Sequence, residues 1–148
     1  MDMVHDKFRQ SWNTIYDAAS ANRRPQGMSI KQFLNTITRF TDHLTYHHTF
    51  EEQHIFPILA KRMDAFKAKG GRHLEQHERI HEGIEKMEGY VEGVRRGERE
   101  LNLRELKGVM DSFGEGLWVH LDEEVETLGA ENMRLYWSLE EMGTLLMM

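Results

Sequence analysis

The sequence predicts an all-α protein, an up-down-up-down antiparallel four-helix bundle with a short extra helix at the C-terminus. The 148 residues include only two prolines, there is no run of β-branched residues, and residues that favour helices, such as glutamate, lysine, arginine and leucine, are abundant. Apolar residues recur every three or four positions along four long segments. Residues 1–148 are therefore expected to form one domain, with the bundle at about 2–128 and the extra helix at about 131–146.

The first two helices are expected on either side of the segment NRRPQGM. Helix one is predicted over about 2–21. Ser29 followed three residues later by Gln32 resembles a capping box and opens helix two, which Pro57 is expected to bend or end. The predicted apolar stripe of helix two contains Phe33, Ile37, Phe40, Leu44, His47, Glu51, Ile55 and Ile58.

Helices three and four follow the Gly70–Gly71 boundary. Asn102 is expected to cap helix four, which is predicted to run without a break until Gly129 ends it. The predicted stripe of helix three contains Leu74, His77, His81, Ile84, Met87, Val91 and Val94. That of helix four contains Leu106, Met110, Phe113, Leu117, His120, Glu124 and Leu128.

Charge and composition exclude several classes of function. The net charge of -6 and the scattered lysines and arginines argue against nucleic-acid binding. The absence of cysteine excludes disulfides, thiolate metal sites and cysteine nucleophiles. The N-terminal residues lack an apolar signal-peptide core, and no segment approaches the roughly 18 apolar residues of a membrane span. We therefore expect a cytoplasmic protein with no membrane partner.

Histidine and glutamate side chains interrupt the apolar stripes in pairs at i,i+4 spacing, which places both members of a pair on one helix face. The pairs are His47 with Glu51, His77 with His81, and His120 with Glu124, and a single His5 lies in helix one. A buried carboxylate without a cation is costly, and no lysine or arginine lies near these levels of the stripes. The pattern predicts a metal site.

The number and type of these side chains restrict the metal. Imidazole and carboxylate ligands without sulfur favour iron, manganese or zinc. Seven ligands are too many for one tetrahedral zinc ion. They suit two ions of higher coordination number, bridged by two carboxylates and with one position open.

The ordered set of motifs resembles the hemerythrin-like, or HHE cation-binding, family. The motifs are an isolated histidine on helix one, HxxxE before FP on helix two, HxxxH on helix three and HxxxE on helix four, and together they span residues 2 to about 128. The resemblance implies a helical bundle around two non-haem iron ions, bridged by two carboxylates and an oxo or hydroxo group. It also implies reversible binding of dioxygen at the iron with fewer histidines.

Transferred to this chain, the resemblance implies a role for each ligand. His77, His81 and His120 would hold one iron, His5 and His47 the other, and Glu51 and Glu124 would bridge them. Apolar residues of the same stripes would line the open position, with Phe8, Leu44 and Leu117 as candidates. The invertebrate oxygen carriers have an aspartate five residues after the helix-four histidine, where this chain has Val125.

Several alternatives remain open from the sequence. The expected function is reversible binding of dioxygen or a related small ligand such as nitric oxide. An enzyme acting on peroxide, nitric oxide or an organic substrate would need a proton donor, for which His43, Tyr46 and His54 are candidates. Iron storage or sensing, and a metal-free bundle, are further alternatives. His48 and Glu52 repeat the i,i+4 spacing and are expected beside the site, and His73 is expected to be a neighbouring polar group.

Overall fold

The computed structural model describes residues 2–67 and 70–146 and contains no strand within those ranges. The predicted all-helical class is thus confirmed. The long helices are α1 (Asp2–Ala21), α2 (Ile30–Phe50), α4 (Arg72–Arg95), α5 (Leu103–Asp111) and α6 (Gly114–Thr127). The short helices are α3 (Phe56–Leu59), α7 (Ala130–Met133) and α8 (Leu139–Leu146).

Two helices begin where their capping residues predict. The Ser29 side chain accepts a hydrogen bond from the Gln32 backbone N–H, and the Gln32 side chain accepts one from the Ser29 backbone N–H. The Asn102 side chain accepts from the backbone N–H groups of Arg104 and Glu105 at the start of α5. These bonds satisfy backbone donors that would otherwise lack a partner at a helix start.

A π-helical segment, Glu51–Ile55, joins α2 to α3 and changes the register of the stripe. The Phe56 backbone N–H donates to the Glu51 carbonyl, five residues back, so one extra residue enters the turn. Phe56 and Leu59 are consequently buried, whereas the predicted stripe positions Ile55 and Ile58 are only half-buried. The prediction for this end of helix two was wrong by one residue.

The predicted fourth helix is divided between α5 and α6. The break lies at Ser112 and Phe113, where the Phe113 backbone leaves helical geometry at φ -137° and ψ -2°. The Phe113 ring packs against Gly83 of α4, so closely that a Cβ there would lie 2.2 Å from the ring. Close packing between helices thus accompanies the break that the apolar stripe did not predict.

The long helices surround a common apolar core. Helix α1 contacts α2 and α5, α2 contacts α4, and α4 contacts both α5 and α6. The deepest core side chains include Phe33, Ile37, Phe40, Leu44, Ile84, Met87, Leu106, Met110 and Leu117. The helices form a bundle with buried polar side chains near one end.

A second apolar cluster closes that end of the bundle. It contains Phe56, Leu59, Met63, Phe66, Met133 and Trp137. The last two residues belong to the C-terminal segment, which forms α7 and α8 where the sequence predicted one helix over 131–146. Arg62 ties this segment down, with its guanidinium 4.4 Å from the Trp137 ring centre and an ion pair to Glu141. In the described residues, no helix has the length and apolar character that a membrane span requires.

Candidate metal centre

Eight buried or nearly buried polar side chains converge from five helical segments. They are His5 of α1, His47 and His48 of α2, Glu51 of the π-helical segment, His73 and His77 of α4, and His120 and Glu124 of α6. Glu124 and His120 are fully buried, and Glu51 is 1% exposed. Groups of three of these side chains place their ligand atoms within 4.8 Å of one another, as a metal ion requires.

Glu124 lies between two groups of histidines, and each of its oxygens faces one group. Its Oε1 is 3.7 Å from His5 Nε2 and 3.9 Å from His47 Nε2. Its Oε2 is 3.0 Å from His120 Nε2 and 3.9 Å from His77 Nε2. A carboxylate placed in this way can bridge two cations, each held by its own histidines.

Glu51 provides the second buried carboxylate. Its Oε1 lies 2.8 Å from His47 Nε2, and the carboxylate also falls in a candidate group with His77 and Glu124. Although these contacts are short, none of the contacts of the Glu51 oxygens, of the Glu124 oxygens or of the His5 ring nitrogens has the geometry of a hydrogen bond. Buried polar atoms normally find partners, so these atoms fit a bound cation.

The hydrogen bonds around His77 and His120 fix which ring nitrogen carries the proton. His77 Nδ1 donates to Glu52 Oε1 at 3.0 Å. His120 Nδ1 donates to Gln76 Oε1 at 2.7 Å, since the Gln76 amide nitrogen already donates to Glu123. In the neutral rings, both Nε2 atoms then carry lone pairs, and they face each other at 3.0 Å. Two lone pairs at that distance repel unless a cation lies between them.

The electrostatics of the cluster also favour a bound cation. Burial raises the pKa of Glu51 to about 9, despite the opposing contact with His47. Burial also opposes the charge of Glu124, but the surrounding histidines outweigh it and hold its pKa well below the usual range. Burial likewise opposes a charge on His47, yet the two glutamates raise its pKa to about 9. The buried polar side chains of the described residues include no lysine or arginine, so positive charge must come from protons or metal.

Six of the predicted ligands, His5, His47, Glu51, His77, His120 and Glu124, come together, but the structure places His81 elsewhere. Its side chain is 57% exposed and lies 3.1 Å from the exposed Glu85. The helix rotates by about 40° over each step of four residues, so two such steps in succession leave the buried face. The buried positions of α4 instead run His73, His77, Ile80, Ile84 and Met87, with steps of four and three in alternation.

His73 takes the place expected for His81. It is 1% exposed, and its ring stacks on Phe66 of the second apolar cluster at 4.6 Å. Burial and the nearby His120 lower its pKa to about 4, so the ring is neutral, as a metal ligand must be. His73–His77 and His77–His81 have the same spacing, and the apolar Ile80, which is buried next to the exposed His81, is the sequence signal that favours His73.

The remaining polar candidates are one further member of the cluster, one neighbour of it and three surface residues. His48 belongs to the cluster, because its ring stacks on His77 at 3.8 Å and it forms a candidate metal-binding group with His77 and His120, and burial lowers its pKa. Glu52 hydrogen-bonds His77, as expected for a residue beside the site. The three candidate proton donors are exposed: His43, Tyr46 and His54.

Comparison with known proteins gives one result. The model of the hemerythrin HHE cation binding domain matches residues 1–131. No curated protein and no solved structure matches the chain. The family model thus confirms the resemblance found in the motifs, and its range includes every residue of the buried cluster.

Proposed function

Since the chain belongs to the hemerythrin HHE cation-binding domain family, we propose that it holds two non-haem iron ions and reversibly binds dioxygen or a related small ligand such as nitric oxide. His73, His77 and His120 hold one ion, and His5 and His47 hold the other. Glu51 and Glu124 bridge the two. The observation that carries the proposal is the position of Glu124, with one oxygen toward each histidine group.

The donor set supports iron. Imidazole nitrogens and carboxylate oxygens without thiolates are typical of non-haem iron sites. The iron pair would supply the electrons that a protein side chain cannot provide. The chain supplies the remaining parts, which are buried ligands, fixed ring tautomers and a low-dielectric surrounding.

The unequal numbers of histidines support binding of a small ligand on the side of His5 and His47. This side has two imidazoles where the other has three, so it has more room for a further ligand. The Phe8 ring covers it, 5.4 Å from the His47 ring. Leu44 and Leu117 are fully buried, as expected for residues that line an apolar pocket. Such a pocket keeps water from a bound ligand and favours reversible binding over chemistry.

We also propose that the bundle has the up-down-up-down order. His5 lies near the start of α1, His47 near the end of α2 and His77 near the start of α4, while His120 lies in α6. The contacts of His47 with His5 and of His48 with His77 support alternating directions for α1, α2 and α4. His120 of α6 lies beside His77, and α5 precedes α6 in the chain, so the α5–α6 unit is expected to run antiparallel to α4.

The candidate proton donors for an enzyme do not lie in the buried cluster. His43, Tyr46 and His54 all lie on the surface. Proton transfer would need a group within hydrogen-bonding reach of the reacting molecule. The geometry therefore favours binding over catalysis by these residues.

The test is the metal content together with the visible spectrum of protein purified in air, reduced, and re-exposed to dioxygen. We expect about two irons per chain and an absorption that returns over repeated cycles. Glu85→Gln, which changes an exposed partner of His81, is the matched control for handling. Rapid irreversible oxidation would contradict reversible binding, and bound zinc in place of iron would contradict the proposed metal.

A further inference from the structure

The buried cluster needs a route from solvent. Glu124, His120, Glu51 and His77 are each at most 2% exposed. A cavity of about 630 Å³ between α4 and the α5–α6 break has Gln76 on its wall but none of the candidate ligands. That cavity therefore does not reach the cluster.

We propose that a cavity of about 340 Å³, lined by His5, Asp6, Arg9, Asp122 and Val125, is the route by which metal ions and small ligands reach the cluster, and that the Arg9–Asp122 ion pair is its movable rim. This inference rests on the proposed function, because it assigns a way into that same centre.

His5 connects the cavity to the cluster. It lines the cavity wall although the residue is only 3% exposed, and neither of its ring nitrogens has a hydrogen-bond partner. Its Nε2 lies 3.7 Å from Glu124 Oε1. A molecule in the cavity is thus separated from the bridging carboxylate by one imidazole, which no hydrogen bond holds in place.

The rim can open at little cost. Arg9 Nη2 lies 2.5 Å from Asp122 Oδ1, with the two side chains 40% and 69% exposed. Exposed ion pairs contribute little to stability, so this one can break without disturbing the helices that carry it. The Arg9 guanidinium also lies 4.8 Å from the Trp118 ring centre, a contact that can hold it aside while the pair is open.

The wall next to Glu124 is apolar. Val125 is half-buried and directly follows Glu124 in α6. A carboxylate at this position could capture an arriving cation, whereas valine cannot. Asp6 and Asp122 at the surface suit incoming cations, and the apolar wall lets an uncharged diatomic molecule pass.

The test measures the rate of entry into the protein with two probes of different charge. Metal-free protein is mixed with Co²⁺ and uptake is followed by visible absorption, and iron(II)-loaded protein is mixed with nitric oxide in the absence of dioxygen. Arg9→Met removes the rim pair but leaves a side chain over Trp118, and Val125→Phe fills the cavity. As the control, Glu92→Gln breaks another exposed pair, between Glu92 and Arg96 at 2.8 Å, at the far end of α4.

We expect Arg9→Met to bind both probes about two- to fivefold faster, as a weak surface pair allows, and Val125→Phe to bind both more slowly, with unchanged final metal content. Glu92→Gln should match the unmodified protein. If Val125→Phe binds less cobalt at equilibrium, Val125→Leu replaces it. Rates of either variant equal to those of Glu92→Gln would overturn the proposal, as would an effect on Co²⁺ alone. Failure of the unmodified protein to bind cobalt at equilibrium would instead contradict the proposed metal centre.

Discussion

His73 and His81 lie on the same helix, each four residues from His77 in the sequence, yet only His73 is buried. The ring of His73 packs between Phe66 and His120, where it faces the cluster. His81 faces solvent beside Glu85. We therefore propose His73 with His77 as the ligand pair of α4, and the two outer histidines give a matched comparison.

We predict that His73→Ala lowers the affinity of the centre for metal by at least about tenfold, since loss of a ligand costs more than loss of a supporting contact. His81→Ala should leave metal affinity unchanged. Titration of the metal-free variants with Co²⁺ measures both. Loss of metal from His81→Ala with retention by His73→Ala would restore the original prediction from the sequence.

Glu52 contacts His77 at the edge of the cluster. Its carboxylate accepts a hydrogen bond from the His77 Nδ1–H and so leaves Nε2 free to face the cluster. We predict that Glu52→Gln weakens metal binding by about 10- to 100-fold without loss of helix content. Glu85→Gln, which changes the acid beside the exposed His81, is the matched control. Equal affinities of the two variants would show that the contact with Glu52 does not position His77.

Residue type and spacing predicted which polar side chains of α2, its π-helical extension and α6 come together, because one histidine–glutamate pair interrupts each predicted apolar stripe. The third helix carries His73, His77 and His81 at successive steps of four, so spacing alone could not choose between two pairs. His48 was read as flanking because it lies off the predicted stripe, although the structure buries it against His77. Its contact depends on tertiary packing, which the pattern of one helix does not contain.

At the scale of elements, helix starts were predictable and internal breaks were not. The caps at Ser29 and Asn102 are local hydrogen bonds between residues three or fewer apart. The π-helical segment and the break at Phe113 both lie within continuous apolar patterns. Pro57 indicated a disturbance near the π-helical segment, and no residue indicated the break at Phe113. Both breaks place side chains against neighbouring helices, so their cause lies outside the local sequence.

Gly83 is the partner of the Phe113 break, and it provides a test. A Cβ at this position would lie 2.2 Å from Cγ of the buried ring, so Gly83→Ala is expected to cost about 1–3 kcal/mol of unfolding free energy. Gly89 lies in the same helix with nothing within 4 Å of its added Cβ, and Gly89→Ala should stabilise by about 0.5–1 kcal/mol. Chemical denaturation measures both. Equal effects of the two substitutions would contradict the packing of α4 against Phe113.

Across the whole molecule, the cluster is expected to make the metal-free protein sensitive to pH on both sides of neutrality. Burial lowers the pKa values of His48, His73 and His120 in the folded chain. Below about pH 6.5 the unfolded chain therefore binds more protons than the folded chain at these three histidines. Glu51 has the opposite effect, because its raised pKa lets the folded chain hold one extra proton, but three histidines outweigh one glutamate. The free energy of unfolding therefore decreases as the pH falls.

The alkaline side has the opposite cause. The pKa values of His47 and Glu51 are both raised to about 9 in the folded chain, so the folded state binds more protons and loses stability as the pH rises from about 6.5 toward 9. We predict a maximum in the melting temperature of the metal-free protein at about pH 6.5. Circular dichroism at a series of pH values measures it, and a melting temperature that rises steadily through pH 9 would contradict this charge distribution.

The family match ends at residue 131, but the packing of the cluster extends beyond it. Met133 and Trp137 complete the second apolar cluster, whose Phe56 ring lies 5.1 Å from His77. The sequence predicted a covering helix here from its apolar pattern, but not that it forms two pieces. The C-terminal segment therefore packs against the residues that support the buried cluster.

The central claim is that Glu124 bridges two metal ions inside the bundle. The most direct measurement is the number of metal ions per chain, by native mass spectrometry, in the unmodified protein and in Glu124→Ala, with circular dichroism to confirm the fold. We predict about two ions in the unmodified protein and at most one in the variant. No bound ion in the unmodified protein, or the same number in a folded Glu124→Ala variant, would contradict the claim.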